Sequence, residues 1–418
     1  MCAIQVAASW LLNKTPERVI YFLKVTARTL DSITVMENVT RILNERYAGV
    51  VLPNTVLLAL GMTVGAVGNV AVITLYASTI QDKKGDRYFI PVLAFIDCLG
   101  CAANGAFYTI DNLYLFLFPS DALCRVLIFL LTFASGFSAH VLLVIALQRF
   151  LLICRPFGQQ LTLYWRRVAL GIITVVCLGY ASPLLGIGGV RHSNSTFLNR
   201  TFPSHECVLS VEKSAGTVLY FGLIALISVA NILITVALYV PITRAIYRTF
   251  SFRKRTLSYK IREKRMSDSR TTQISHIEIQ EATKHETSDI ANNGKQTISP
   301  KRATKIHQKT RTCESKKDKV KATINLMFLI IILVYILSYI PTLAILIATY
   351  TLSDFTYLEL STAGINLWLF CARFLLLNHV VNPFIYGYFD IGFRAEFIKI
   401  CCCFDKRKIE YSVNSQTT

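Results

Sequence analysis

The chain has few charged residues for its length. Only 17% of its 418 residues are Asp, Glu, Lys or Arg, whereas soluble globular domains average about 25%. Hydrophobic residues make up 53% of the sequence, and the mean hydropathy is +0.47. These values exclude an ordinary soluble domain and indicate a membrane protein.

Features of several other protein classes are missing. The apolar stretches carry neither the His, Cys and Asp spacing of a metal site nor a nucleophile motif, so an enzyme is not expected. No basic patch is interleaved with aromatics on a recognisable module, so the net charge of +19 does not indicate nucleic-acid binding. No internal repeat is evident, which argues against a transporter built from duplicated halves. The apolar run at 2–12 lacks a basic leading region, so no signal peptide is predicted.

Seven apolar segments are long enough to cross a bilayer as helices, which takes about 20 residues. We name them spans 1 to 7, and the sequence places them at about 51–76, 89–111, 123–154, 168–190, 217–243, 322–350 and 360–388. The sequence therefore predicts an all-α membrane protein, a seven-transmembrane helix bundle, in which span 1 itself directs insertion.

Charge and glycosylation sequons both indicate an orientation. Lys and Arg are in excess between spans 5 and 6, and also near Lys83 and Arg166 in the connections after spans 1 and 3. Cytoplasmic loops carry such an excess, so these connections are predicted to be intracellular. The Asn-x-Ser/Thr sequons all fall on the other side, at Asn13, Asn38, Asn194 and Asn199. Both patterns predict a multi-pass plasma-membrane protein with an extracellular N-terminus.

The chain divides into five regions. Residues 1–50 form an extracellular N-terminal tail, and 51–250 hold spans 1 to 5. Residues 251–318 are rich in Lys, Arg, Ser, Thr and Gln with few aromatics, so they are predicted to be a disordered, basic third intracellular loop. That loop is either a solvated linker or a phosphorylatable, partner-binding segment. Spans 6 and 7 occupy 319–388, and 389–418 form the cytoplasmic tail.

The cytoplasmic tail begins with an amphipathic pattern. Phe393, Phe397 and Ile400 recur at helical spacing next to basic residues, which predicts an eighth helix on the inner, lipid-contacting surface of the membrane. Three cysteines follow it, Cys401, Cys402 and Cys403, and they are either palmitoylation sites or free cytosolic thiols.

Polar motifs stand at fixed places within the spans. Span 1 carries GAVGN with Asn69, span 2 carries LAFID with Asp97, and span 3 ends in QRF, which is Gln148, Arg149 and Phe150. Span 6 carries SYIP with Tyr339 and Pro341, and span 7 carries NPFIY with Asn382, Pro383 and Tyr386. Together these motifs resemble those of the rhodopsin-like (class A) G-protein-coupled receptors, over almost the whole chain outside the tails and the long loop.

The chain departs from the family's pattern at several of these places. Gln148 replaces the usual acid before the arginine, Phe150 replaces the tyrosine after it, and Tyr339 replaces a tryptophan. Asn231 stands where the proline of span 5 is expected, with Tyr239 following at the family's spacing. The resemblance is therefore to a divergent member whose ligand subclass is unassigned.

The resemblance implies a G-protein coupling site at the inner end of the bundle. Arg149 would meet the G protein there when span 6 moves, although an arginine that merely reaches the interface is the simpler alternative. Because Gln148 is neutral, the acid that normally restrains the arginine is missing, and raised ligand-free signalling is expected. The residues assigned to coupling and activation are Gln148, Arg149, Phe150, Tyr239, Tyr339, Pro341, Asn382, Pro383 and Tyr386.

Asp97 is a carboxylate in mid-membrane, where an uncompensated charge costs about 2.5–3.5 kcal/mol on the insertion scale. The resemblance places it beside four polar side chains, Asn69, Ser138, Asn378 and Asn382. This set suits a sodium ion or a water network, and Asp97, Ser138 and Asn378 are the candidate metal ligands. A protonated, hydrogen-bonded aspartate without an ion is the alternative.

Cys124 and Cys207 lie outside the membrane in this topology, as does Cys2. In the family that the chain resembles, such a pair ties span 3 to the second outer loop. A disulfide between Cys124 and Cys207 is therefore expected.

The ligand is less clearly indicated. Leu131 and its neighbours occupy the part of span 3 where amine receptors place an aspartate, so an amine ligand would lack its counter-ion. Span 7 has no lysine to bind retinal, which argues against an opsin. Polar groups near the outer ends favour a peptide, with a lipid or another small molecule open, and they are Asp111, Glu206, Glu212, Glu359 and Arg373. The competing hypothesis is a channel or transporter that uses Asp97 and Arg149 for permeation.

Overall fold

A computed structural model describes residues 35–78, 87–212, 214–282, 322–345, 348 and 356–399. The sequon at Asn13 lies outside the described residues, as do Cys401, Cys402 and Cys403. Six helices are long and apolar enough to cross a membrane, and a bent pair supplies a seventh. Their bounds are Leu52–Ser78, Phe89–Leu113, Asp121–Cys154, Leu163–Ile187, Ala215–Arg248, Ala322–Ile345, and Thr362–Ala372 with Phe374–Phe389. The prediction of a seven-helix bundle is confirmed.

The spans expose apolar side chains on one side and pack on the other. Leu60, Val67 and Val175 are more than 60% exposed, as expected for helices that face lipid. One apolar core, which includes Leu93, Leu142 and Phe328, runs between the spans. It holds the bundle together and surrounds the polar side chains described below.

Two glycines let spans 1 and 7 approach closely. A Cβ on Gly68 would lie 2.9 Å from the Cβ of Pro383, and one on Gly65 would lie 3.1 Å from the Cα of Val380. Small residues allow such backbone contact between membrane helices. This contact brings Asn69, one residue after Gly68, against the backbone of span 7.

Span 7 is bent by 47° at Arg373. Thr342 of span 6 inserts its hydroxyl into the break, where it donates to Cys371 O at 3.4 Å and accepts from Leu375 N at 3.2 Å. A side chain that enters the helical hydrogen-bond ladder is a known cause of such kinks. The bend, which the sequence did not predict, directs Arg373 towards spans 1 and 2.

Span 5 continues well beyond the membrane, as a single helix over Ala215–Ala282. The prediction of disorder for 251–318 is therefore wrong for 251–282, and the rest of that loop lies outside the described residues. Between Pro241 and Gly294 the sequence has neither Gly nor Pro, and it is rich in Lys, Arg, Glu and Gln, which favour helices. Polar composition alone suggested disorder, but nothing in the sequence stops the helix.

At one end of the bundle, which we call the hairpin end, strand β1 (Gly189–Phe197) pairs with strand β2 (Arg200–Val208) in an antiparallel hairpin. Leu198 and Asn199 form its turn with φ of 52° and 59°, the left-handed geometry that two-residue hairpins prefer. Cys207 in β2 is bonded to Cys124 in span 3, with Cα atoms 5.7 Å apart. The expected disulfide is confirmed, and it fixes the hairpin to the bundle.

Span 4 ends before this hairpin, so the predicted limit at 190 is three residues too long.

A helix over 35–50 packs beneath the hairpin, so the predicted N-terminal tail is structured where it is described. Thr40 donates to Pro203 O at 3.1 Å, and Asn44 donates to Leu113 O at 2.7 Å. Tyr47 is fully buried against Phe116 and Phe197. Burial raises the pKa of Tyr47, so its phenol stays protonated. The helix and the hairpin together cover this end of the bundle.

The opposite end, which we call the Arg149 end, carries the eighth helix over 391–399. Asp390 precedes it and accepts from the backbone N–H of Gly392 at 2.9 Å, as a helix N-cap does. The same carboxylate pairs with Arg87 at 2.9 Å and accepts from Tyr76 at 2.7 Å. Phe393 stacks on Tyr76 and is buried, so only part of the predicted apolar stripe remains available to lipid.

Candidate functional site

The centre of the bundle contains a buried carboxylate, Asp97 of span 2. Its Oδ1 accepts from Ser138 Oγ at 2.9 Å, and its Oδ2 accepts from Asn382 Nδ2 at 2.7 Å. Asn378 Nδ2 in turn donates to Ser138 Oγ at 3.1 Å. The structure thus brings together the residues that the sequence assigned to this site. Asn69 is one step removed, because it bonds a backbone carbonyl of span 7.

One member of this site, His379, was not predicted from the sequence. Its Nδ1 lies 2.8 Å from Asp97 Oδ1, and its Nε2 lies 3.3 Å from Ser135 Oγ. Both His379 and Asp97 have fully buried side chains. His379 stands three residues before Asn382, a spacing that places two residues on one face of a helix. That spacing is the signal in the sequence from which His379 could have been predicted.

The set does not fit the sodium ion that the resemblance implied. A hard cation is held by oxygen ligands, but Ser138, His379 and Asn382 all present hydrogen-bond donors to Asp97. Asp97 Oδ1 accepts from two of them, which uses both of its lone pairs. Among the described residues, Asn378 Oδ1 and Asn69 Oδ1 are the nearby oxygens that accept no hydrogen bond.

Arg149 lies in the last two turns of span 3 and is 2% exposed. Its guanidinium stacks over the ring of Phe328 in span 6, 4.0 Å from the ring centroid. Tyr239 of span 5 donates to Phe328 O at 3.3 Å. Three spans therefore meet at one aromatic residue that the sequence analysis did not single out.

The other residues assigned to coupling lie on spans 3, 6 and 7. Gln148 and Tyr386 are buried, Pro383 packs on Gly68 of span 1, and Phe150 is half-buried against the apolar core. Tyr339 lies nearer the hairpin end, where it belongs to a cavity instead of the Arg149 contact. Pro341, two residues from Tyr339 on span 6, is half-buried.

A cavity of about 190 Å³ lies between spans 3 to 7, on the hairpin side of Tyr335. Leu131, Ile224 and Ile227 make its walls largely apolar, and Asn231 brings an amide to it. The Tyr335 hydroxyl donates to Asn231 Oδ1 at 2.8 Å. Asn231 is buried, and within the described residues its Nδ2 donates to no acceptor. The cavity therefore offers the Asn231 amide as a buried donor, and no Asp or Glu is among its described lining residues.

Most charged groups that favoured a peptide are engaged within the protein. Arg373 pairs with Asp111 at 3.2 Å and donates to Asn54 Oδ1 at 2.7 Å. Its guanidinium also lies 4.5 Å from the Tyr108 ring centroid. Glu206 accepts hydrogen bonds from the serines that neighbour it in the hairpin. The remaining two, Glu212 and Glu359, are exposed at the hairpin end.

Comparison with known proteins decides the family. The sequence model described as 7 transmembrane receptor (rhodopsin family) matches residues 68–386. The chain belongs to this family. The receptor is therefore a multi-pass plasma-membrane protein and not an enzyme. A search of curated proteins finds no match to it.

Within this receptor, the matched region contains the motif and site residues from Asn69 to Tyr386. Members of the family take an extracellular ligand and a G protein as partners in general terms. The receptor departs from the family pattern at Gln148 and at Tyr339.

Proposed function

We propose that the receptor couples an extracellular ligand to heterotrimeric G proteins through span 6. The observation that carries this proposal is that one helix touches both sites. Tyr335 lies at the cavity, and Phe328, seven residues earlier, stacks on Arg149. A separation of seven residues is two helical turns on one face. A ligand that shifts Tyr335 therefore also moves the ring that covers Arg149.

The orientation in this proposal has the hairpin end outside the cell. Disulfides persist in oxidising compartments, which supports an outer location for the Cys124–Cys207 bond. The sequon residues Asn38, Asn194 and Asn199 are exposed at the same end, so each is accessible to a glycan. Arg166, in the basic connection after span 3, lies at the Arg149 end, as the positive-inside bias requires.

The proposed ligand is a peptide that places an uncharged, mainly apolar side chain in the cavity. The cavity walls are apolar, and Asn231 Nδ2 is a buried donor that an acceptor on the ligand would satisfy. Exposed Glu212 and Glu359 favour basic residues in the part of the peptide that stays outside. Replacement of Asn231 by Leu tests this assignment, because it removes the donor at similar volume.

The test of coupling uses Arg149→Ala in the purified full chain with a panel of G proteins. We expect nucleotide exchange, with or without ligand, to fall at least about tenfold, which corresponds to the loss of roughly 1.4 kcal/mol of coupling. Arg167→Ala is the matched control, because Arg167 is exposed near the same end and should support normal exchange.

The two outcomes separate the receptor from the competing hypothesis. Full exchange by Arg149→Ala at unchanged thermal stability would remove the coupling role of this arginine. Ionic current through bilayers that contain the wild-type chain, without exchange on any G protein, would favour the channel that the sequence left open.

A further inference from the structure

The space around Asp97 is shaped for the His379 ring. A Cβ on Gly100 would lie 2.8 Å from His379 Nδ1 and 2.9 Å from its Cε1. Any side chain larger than that of glycine at position 100 would therefore collide with the imidazole where it now stands. Gly100 belongs to span 2, one turn after Asp97, so the same helix supplies both the carboxylate and the clearance.

The hydrogen bonds of the ring are complete. The Asp97 carboxylate accepts at Nδ1, and the Ser135 hydroxyl is the partner at Nε2. A hydroxyl both donates and accepts, so this pair of partners suits the ring in either protonation state. The backbone of His379 is also anchored, since its carbonyl accepts from Asn69 Nδ2 at 2.8 Å.

We propose that the His379 imidazole takes the position on Asp97 that a bound cation would need, so that the resting receptor does not depend on sodium. A neutral imidazole turns an N–H towards the carboxylate, where a cation requires an electron pair. A charged imidazolium would repel the cation at short range. The ring also fills the space that Gly100 leaves open. The proposal concerns only the interior of the bundle and does not depend on the ligand or on G-protein coupling.

The experiment measures the thermal stability of the purified full chain in sodium chloride and in choline chloride at equal ionic strength. A cation that binds only the folded state stabilises it by mass action, so its effect appears as a shift in Tm. We expect the wild type to show the same Tm in both salts. A reproducibly higher Tm of the wild type in sodium would overturn the proposal without any variant.

His379→Ser tests whether the imidazole is the cause. Serine removes the ring and supplies an oxygen in its place, so we expect this variant to gain a rise in Tm of about 2 °C or more in sodium over choline. The double variant Asp97→Asn with His379→Ser should lose that gain, because it removes the anionic ligand. A His379→Ser protein whose Tm is equal in both salts would overturn the assignment of cation exclusion to the ring.

Gly100→Ala provides a second route if His379→Ser fails to fold. The added methyl group would displace the ring from Asp97 while the imidazole remains in the chain. We expect a sodium-dependent rise in Tm for this variant as well. Equal Tm in both salts for Gly100→Ala, with the ring shown by NMR to have left Asp97, would contradict the proposal.

Discussion

Phe328 gives Arg149 a partner across the bundle. The neutral Gln148 predicted a weakly restrained arginine and raised ligand-free signalling, which stays a prediction. The stacking of Arg149 on Phe328 of span 6 opposes that expectation, because an aromatic ring in a buried setting attracts a guanidinium by about 1–2 kcal/mol. The contact with the Phe328 ring therefore adds to what holds Arg149 against span 6.

At the residue scale, we therefore predict that Phe328→Leu raises ligand-free nucleotide exchange. Loss of about 1 kcal/mol from the inactive state shifts its equilibrium about fivefold. Phe328→Tyr keeps the aromatic face and is the matched control, so its exchange should stay near that of the wild type. Basal exchange at matched receptor concentration checks this, and equal rates for Phe328→Leu and the wild type would show that the ring does not restrain Arg149.

The polar centre shows how far single residues are predictable. Ser138, Asn378 and Asn382 were assigned to Asp97 by resemblance, and the structure places them in one hydrogen-bonded set. His379 was not, because a family pattern locates only the positions that the family shares. Its role depends on the clearance at Gly100, which is a contact between two spans that sequence spacing does not reveal.

At the element scale, the eighth helix depends on its first residue. Asp390 caps the helix and also pairs with Arg87 and Tyr76 through a fully buried carboxylate. We predict that Asp390→Ala lowers stability by about 3 kcal/mol, since it removes a cap and the buried carboxylate that pairs with Arg87. Asp390→Asn keeps an acceptor for the cap and should lose less.

The measurement is amide hydrogen exchange over 391–399 together with the Tm of the purified chain. Faster exchange of this helix in Asp390→Ala than in Asp390→Asn would assign the difference to the cap. Wild-type protection in both variants would mean that the stacking of Phe393 on Tyr76 alone holds the helix in place.

Element boundaries are predictable from the sequence where local chemistry decides them. The start of span 4 was predicted at about 168, five residues too late, although span 4 begins at Leu163, where Thr162 accepts from Trp165 N as a capping residue. The bend of span 7 was not predictable in this way, since Thr342, which causes it, belongs to span 6. The extension of span 5 was predictable from the lack of Gly and Pro after Pro241. The polar composition of the same residues instead predicted disorder.

At the scale of the whole molecule, topology was predictable because a bilayer restricts the choices. Apolar length and charge bias were enough to predict the number of spans. Each span must be a helix, because backbone groups in a bilayer have to form their hydrogen bonds within the segment. The cover at the hairpin end was not predictable. It joins the helix at 35–50, the hairpin and span 7 through Tyr47, Phe197 and Ile365, which are far apart in sequence.

The disulfide is the covalent support of that cover, and it leads to a prediction for the whole molecule. Cys124 and Cys207 close a loop with a sequence separation of 83, for which the chain-entropy model gives a stabilisation of about 4 kcal/mol. We predict that Cys124→Ser and Cys207→Ser each lower the Tm and the surface expression, and that the double variant is little worse than either single one. The bond is lost once, whichever sulfur is removed.

A double-mutant cycle on the full chain measures this. Strictly additive losses would mean that each cysteine acts through its own packing, and the hairpin would then be held by its other contacts, among them its backbone hydrogen bonds to 116–118.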